Sequence, residues 1–160
     1  MVKILAIDPG QDLSGFVLWD CETETLLDKG KVSNDAICDI LEEAPPCILA
    51  MEKPANMGNY FGDSLIDTCI WLGRFWECYA YATSVVLIKR HEVKQHLCHQ
   101  QKGVNDAVIR AAIIDRFGGK EKAIGTKAKP GKLYGLRADM WQALAVALCC
   151  ADRLSPASSE

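Results

Sequence analysis

Three acidic residues stand where packing does not explain them. Asp8 closes the apolar run 2–7, Glu52 closes the apolar run 47–51, and Asp139 opens the long apolar segment near the C-terminal end. A carboxylate left unpaired at the end of a buried strand is costly, so such a position calls for a partner. If the strands of Asp8 and Glu52 are neighbours, both acids emerge at one sheet edge, and the last helix can bring Asp139 against them. Clustered carboxylates repel one another unless a cation lies between them, and hard oxygen ligands suit Mg²⁺ or Mn²⁺. Two such ions can activate a water and stabilise the leaving oxygen in phosphodiester cleavage. Taken singly, each acid reads as a helix cap or a solvated strand end. The three together point to a metal-dependent hydrolytic centre.

The elements that must position these acids are legible in outline. Residues 2–7 and 14–20 read as strands joined through the turn signal Asp8-Pro9-Gly10, and residues 25–32 form a third. Their close spacing favours antiparallel neighbours. Ser33 or Asn34 caps a helix over 35–43 that Pro45 and Pro46 end, and 47–52 reads as a strand buried on both faces. Residues 63–82 read as a long helix with two apolar stripes. One is Leu65, Cys69, Leu72, Trp76 and Tyr79, and the other is Trp71, Phe75, Cys78 and Ala82. Two such faces exceed one sheet contact, so the helix packs on a second subunit or lies fully covered inside the domain. A strand over 84–88, helices over 91–97 and 105–117, a basic loop and a last helix over 138–154 complete the order. The expectation is a mixed α/β fold of one domain, residues 1–154, with a disordered tail over 155–160.

Composition bounds the rest. The chain has 160 residues, 49% of them hydrophobic and 24% charged, enough for one substantial core. No apolar run reaches the ~18 residues a membrane span needs, and Asp8 interrupts what would be a signal-peptide core. A cytoplasmic protein with no membrane partner is expected. Eight cysteines (Cys21, Cys38, Cys47, Cys69, Cys78, Cys98, Cys149, Cys150) contain no CxxC and sit mostly in apolar runs, as reduced, buried thiols would. A zinc site from His96, Cys98 and His99 is conceivable, although the spacing fits no standard ligand pattern. The net charge of −3 hides an asymmetry. Residues 120–137 carry six basic side chains (Lys120, Lys122, Lys127, Lys129, Lys132, Arg137) against Glu121, and the remainder stands at −8. Such a segment is either a polyanion contact or a solvated loop.

The motifs, in order, resemble the RuvC-type Holliday junction resolvases of the RNase H-like nucleases. ILAIDPGQDLSGFVLWD is similar to their first-strand signature, and ILAMEKP to their second motif. IWLGR resembles a Leu-Gly segment in the next helix, HEVKQHL a Val-Lys-Gln segment, and RADMWQALAVALCCADR the C-terminal acidic helix. The likeness spans nearly the whole chain, and its compact size suits a bacterial or phage member. The resemblance implies an RNase H-like fold: a mixed central β-sheet, its first three strands antiparallel, flanked by helices. It implies a crossover junction endodeoxyribonuclease that acts on four-way DNA junctions with Mg²⁺, Mn²⁺ substituting, and leaves 5′-phosphate and 3′-hydroxyl ends. Asp8, Glu52 and Asp139 become metal-binding catalytic carboxylates, and Lys94 a phosphate contact. Two positions depart from the pattern. Gln142 stands where the family carries a second acid one turn after Asp139, so it offers an oxygen without a charge. Near Asn105 members often have an active-site lysine, a role that Lys102 or the basic segment would have to take.

DNA recognition would rest on phosphate contacts and shape. Lys127, Lys129, Lys132 and Arg137 lie just before Asp139, and Asn56, Tyr60 and Phe61 lie in the segment after Glu52, where aromatics can stack on or wedge between unpaired bases. Ordinary packing against the following helix is the alternative for these aromatics. A two-fold symmetric junction needs paired nicks, hence a homodimer. The competing readings are a broader flap or fork nuclease and a junction-binding protein impaired at the metal site by Gln142. The Asp-Pro-Gly turn also resembles the phosphate loop of actin-like ATPases, whose second lobe this chain is too short to hold.

Overall fold

The computed structural model describes residues 1–55, 58, 61–81 and 84–155. Strands β1 (Lys3–Asp8), β2 (Leu13–Asp20) and β3 (Thr25–Ser33) form an antiparallel meander. Helix α1 (Asn34–Glu43) follows, then β4 (Ile48–Lys53), α2 (Asp63–Cys78) and β5 (Val85–Lys89). The chain closes with α3 (Arg90–Cys98), α4 (Asp106–Arg116), the single turn α5 (Lys120–Ala123) and α6 (Met140–Leu154). The five strands make one sheet in the order β3-β2-β1-β4-β5, with β4 parallel to both β1 and β5. This is the mixed sheet flanked by helices that the resemblance implies, and its antiparallel start is what the close spacing of the first strands predicts.

Period-two alternation divides the core between the two faces. Ile4 and Ala6 of β1, with Val17, Trp19, Ala50 and Ile88, face α6, whereas Leu5, Ile7, Phe16, Leu49 and Met51 pack with α1 and α2. Every residue from Trp141 to Cys150 is buried, because α6 lies between the sheet and the pair α3 and α4. Its alanines let it approach the strands closely, and burying each of its larger side chains stabilises the fold by about 1.5–3 kcal/mol. Cys149 and Cys150 belong to this core as small hydrophobes, their thiols pushed up by burial. All the cysteines are free. Ser33 caps α1 as its position predicts, its Oγ accepting from the Ala36 amide at 3.3 Å.

Three sequence expectations need correction. Helix α2 ends at Cys78, not residue 82, because Tyr79 turns into the core. There its hydroxyl accepts from the Cys47 amide at 3.1 Å and donates to the Cys47 carbonyl. The uncovered face of α2 is also a different one from those read off the spacing. Trp71, Leu72, Phe75 and Cys78 pack inward, while Ile66, Cys69, Ile70 and Trp76 face outward, and of the sixteen residues only Phe75 is buried. The basic segment, finally, is no free loop. Ala123, Leu133 and Leu136 anchor it in the core, α5 opens it, and Gly125 pairs with Pro130 across a short bridge. Residues 56, 60, 82 and 156–160 of the sequence reading lie outside the described residues.

Candidate active site

One rung of the sheet assembles the site. Asp8 faces Gly15 on β2, and Gly15 faces Lys31 on β3. The parallel register of β1 and β4 runs through Ile7 and Met51, which sets Glu52 beside Asp8, and Glu52 in turn faces Ile88 on β5. Asp8, Gly15 and Glu52 are each an even step from strand positions packed under α6, and Ile88 is itself one of them, so the rung lies on the α6 face. The turn after Asp8 is locked from beneath. Buried Ser14 donates to Asn34 Oδ1 at 2.6 Å and accepts from the Gly10 amide at 3.1 Å, while Asn34 Nδ2 donates to the carbonyls of Gly10 and Gln11. The Asp-Pro-Gly and Ser-Gly motifs are therefore two halves of one hydrogen-bonded corner.

Gly15 brings the third acid in. A Cβ there would stand 2.7 Å from the backbone carbon and oxygen of Asp139, closer than such atoms can come, so only glycine lets the start of α6 rest on β2. Asp139 occupies the N-cap position of α6 without making a cap bond, and instead accepts from Lys31 Nζ at 2.6 Å. Burial, and then the charges of Glu52 and Asp139, push the Asp8 carboxyl up to about 7 against the pull of Arg90 and Lys31. Burial raises Glu52 as well, opposed by Arg90 and by Lys94.

Arg90, the first residue of α3, is the hub that sequence reading missed. Its Nη1 lies 3.2 Å from Glu52 Oε2 and 2.9 Å from Gln142 Oε1, and its Nη2 pairs with Asp106 at the start of α4. The signal was available. Arg90 sits two residues beyond Ile88, at the sheet edge that Glu52 marks, whereas Lys31 required the register of β3 to be known. Asn105 caps α4 through the Val108 amide at 3.0 Å, and the cation near that position is Arg90 at the start of α3, paired with the neighbouring Asp106.

Asp8, Glu52, Asp139 and Gln142 are thus brought together, with Lys94 one turn along α3 from Arg90. Lys102 is exposed in the turn before α4 and makes no ion pair among the described residues. Phe61 is 67% exposed ahead of α2. Lys127, Lys129, Lys132 and Arg137 are all exposed. A cleft of about 310 Å³ opens beside the acids, lined by Asp106, Arg110, Asp139, Trp141 and Gln142, with the Arg110 guanidinium 4.9 Å from the Trp141 ring. A larger cavity of about 690 Å³ is lined by the basic segment, Lys120, Lys122 and Lys129 among its walls. The zinc expectation fails at His96, whose Nε2 bonds Asp152 at 2.7 Å, and Asp152 also receives both Nη atoms of Arg116.

Among the described residues no three carboxylate, imidazole or thiol groups form a ready cation cage, because Glu52 and Asp139 are drawn to Arg90 and Lys31. The donor chemistry still fits one hard divalent ion. Asp8 stands between two other acids, and a cation would offset both the burial and the repulsion that raise it. The environment of Gln142 does not fit a second ion, since it offers a neutral amide already engaged by a guanidinium.

No protein-family model matches the chain, and no curated protein does. Solved structures do match. A structure of Thermus thermophilus RuvC superposes with a TM-score of 0.68 at 17% identity, covering 92% of each chain. T. thermophilus RuvC in complex with Holliday junction substrate superposes at 0.67 and 19% identity, covering 97% of each. The chain has the RuvC-type, RNase H-like fold.

Proposed function

We propose that this chain is a metal-dependent, structure-specific endodeoxyribonuclease that resolves four-way DNA junctions by paired phosphodiester hydrolysis, acting as a homodimer. The observation that carries the reading is the rung that stands Asp8 between Glu52 and Asp139 with its carboxyl raised to about 7. The fold supports it further, since the Thermus protein of that fold was captured on a Holliday junction.

A divalent cation held by Asp8, Glu52 and Asp139, Mg²⁺ with Mn²⁺ able to substitute, would supply Lewis acidity toward a phosphodiester and an attacking water, leaving 5′-phosphate and 3′-hydroxyl ends. The chain's own residues position and balance charge around it. Lys31 holds Asp139 at the head of α6, and Arg90 fixes Glu52 and Gln142. Arg110 sets a guanidinium in the cleft, a geometry suited to a backbone phosphate. Lys94, Lys127, Lys129, Lys132 and Arg137 extend the cationic track, and Phe61 offers an exposed ring for stacking on unpaired bases. The outward face of α2 provides the dimer contact, and a two-fold dimer matches the symmetry of a four-way junction.

The test is cleavage of a labelled synthetic four-way junction beside linear duplex and a three-way fork, with Mg²⁺, Mn²⁺ or chelator, and with Asp8→Asn as control. The expected result is paired, symmetric nicks on the junction alone, lost in chelator and in the variant. Cutting of every branched form would replace strict resolution with a broader debranching activity. A second reading, a junction-binding protein that does not hydrolyse, is favoured by the Arg90–Gln142 hydrogen bond, and it predicts tight binding without a cut in any divalent metal.

A further inference from the structure

Resting on the nuclease reading above, we propose that Arg90 is a built-in cation that takes the place of one of two metal ions, so that each site binds a single divalent cation. The position that would complete a second ion's ligand set is Gln142. It is buried, it bears no charge, and its only side-chain oxygen already accepts from Arg90 Nη1 at 2.9 Å. That same nitrogen is 3.2 Å from Glu52 Oε2, so the guanidinium bridges the two residues between which a cation would otherwise lie. Nη2 is held by Asp106. The hub is therefore tied to β4, α4 and α6 at once, and a permanently charged, planar group fixed from three elements is not readily displaced. A hydrated divalent ion also gains little from a neutral amide compared with a carboxylate.

Lys31 contrasts with this arrangement. Among the described residues it makes one ion pair, to Asp139, from a side chain that is 35% exposed, and a flexible ammonium in such a place can swing away. Asp8 and Asp139 are the acids of the cluster that Arg90 does not touch, and with the Glu52 oxygen that Arg90 leaves free they remain for one ion. The neutral residue at 142 and the arginine at 90 explain each other. Without Arg90 a carboxylate at 142 would add a charge that calls for a metal, whereas a guanidinium set among an amide and two carboxylates supplies the positive charge itself.

The experiment counts Mn²⁺ bound per chain by electron paramagnetic resonance on the full-length protein without DNA. The same titration is run on Gln142→Asp and on Arg90→Ala/Gln142→Asp, with circular dichroism to confirm the fold. The parent should bind one Mn²⁺ without Mn–Mn coupling. Gln142→Asp should still bind one, because Arg90 remains to neutralise the new carboxylate. The double variant should bind two, with coupled spectra. If the Ala version unfolds, Arg90→Gln/Gln142→Asp keeps a polar stem and carries the same expectation. Two coupled ions in the parent, or a single ion in a folded double variant, would overturn the inference while leaving the nuclease reading intact. No Mn²⁺ in the parent would instead overturn the metal-dependent reading, and this inference with it.

Discussion

Asp8 concentrates the electrostatic cost of the site in one carboxyl. Half-buried and beside two other acids, it is pushed up to about 7 in the folded chain, against 3.8 for the ordinary group. Between those values the folded state holds a proton that the unfolded state has released. Stability of the metal-free protein therefore falls as pH rises from about 4 to 7, and the deficit persists above that range. Asp8→Asn removes the charge, so its melting temperature should exceed the parent's by several degrees at pH 8, with the gain gone near pH 4. Thermal melts across that range in chelator would show it, and a gain that is flat with pH would mean that Asp8 is not the strained group. Addition of Mn²⁺ should raise the melting temperature of the parent and not that of the variant, because a ligand stabilises only the state that binds it. In the proposed reaction the carboxyl that costs the empty fold stability is one that would hold the cation.

At the scale of the elements, the site depends on how closely α6 can lie on β2. Gly15→Ala would force a methyl carbon into the backbone of Asp139. Overpacking of this kind costs about 1–3 kcal/mol, roughly 3–10 °C in a domain of this size. Cleavage should fall by a larger factor than the lost stability explains, because the displaced head of α6 carries both Asp139 and Gln142. Comparing rate and melting temperature in the variant would decide it, and a full rate at a lowered melting temperature would mean the site tolerates the shift. This close approach also shows what was legible in the sequence and what was not. Two apolar runs that each end in an acid let Asp8 and Glu52 meet if their strands are neighbours, which the sheet order bears out, while the closeness of α6 to Gly15 had no local signal. Arg90, two residues past Ile88, was marked by its place at the sheet edge, whereas Lys31 was not legible because its partner lies across strands whose register no local pattern states. The turn α5 was hidden for a related reason. Ala123, Leu133 and Leu136 are single apolar residues among lysines and glycines, and only the core they reach makes them an anchor. The end of α2 was misjudged because apolar spacing continues through Tyr79, while a hydrogen bond to Cys47 decides where the helix stops.

For the whole molecule, the charge is distributed as a nucleic-acid binder's would be, with a basic segment on an acidic body. Lys127, Lys129 and Lys132 are exposed on a segment held rigid by buried anchors. Replacing all three by Ala should weaken junction binding and lower the slope of log affinity against log salt by about 0.9 for each phosphate no longer neutralised. Binding isotherms over a salt series read this directly, and an unchanged slope would return the segment to solvent. Assembly is decided at the same scale. Helix α2 is about 24 Å long at 1.5 Å per residue, and its outward face carries Ile70 at 57% exposure, Ile66 at 46% and Trp76 at 38%. Aliphatic side chains one turn apart on a face that none of the described residues covers have an evident occupant in a second copy, since the proposed substrate is itself two-fold symmetric. Ile66→Glu/Ile70→Glu should leave the fold intact, because neither side chain packs in the core, yet convert a sedimenting dimer to monomer. The monomer would retain each acid cluster and still nick a junction, but its two cuts would separate in time instead of arriving as a pair. A parent that sediments as a monomer at micromolar concentration would overturn the dimer, and a variant whose nicks stay paired would place the second active site somewhere other than across α2.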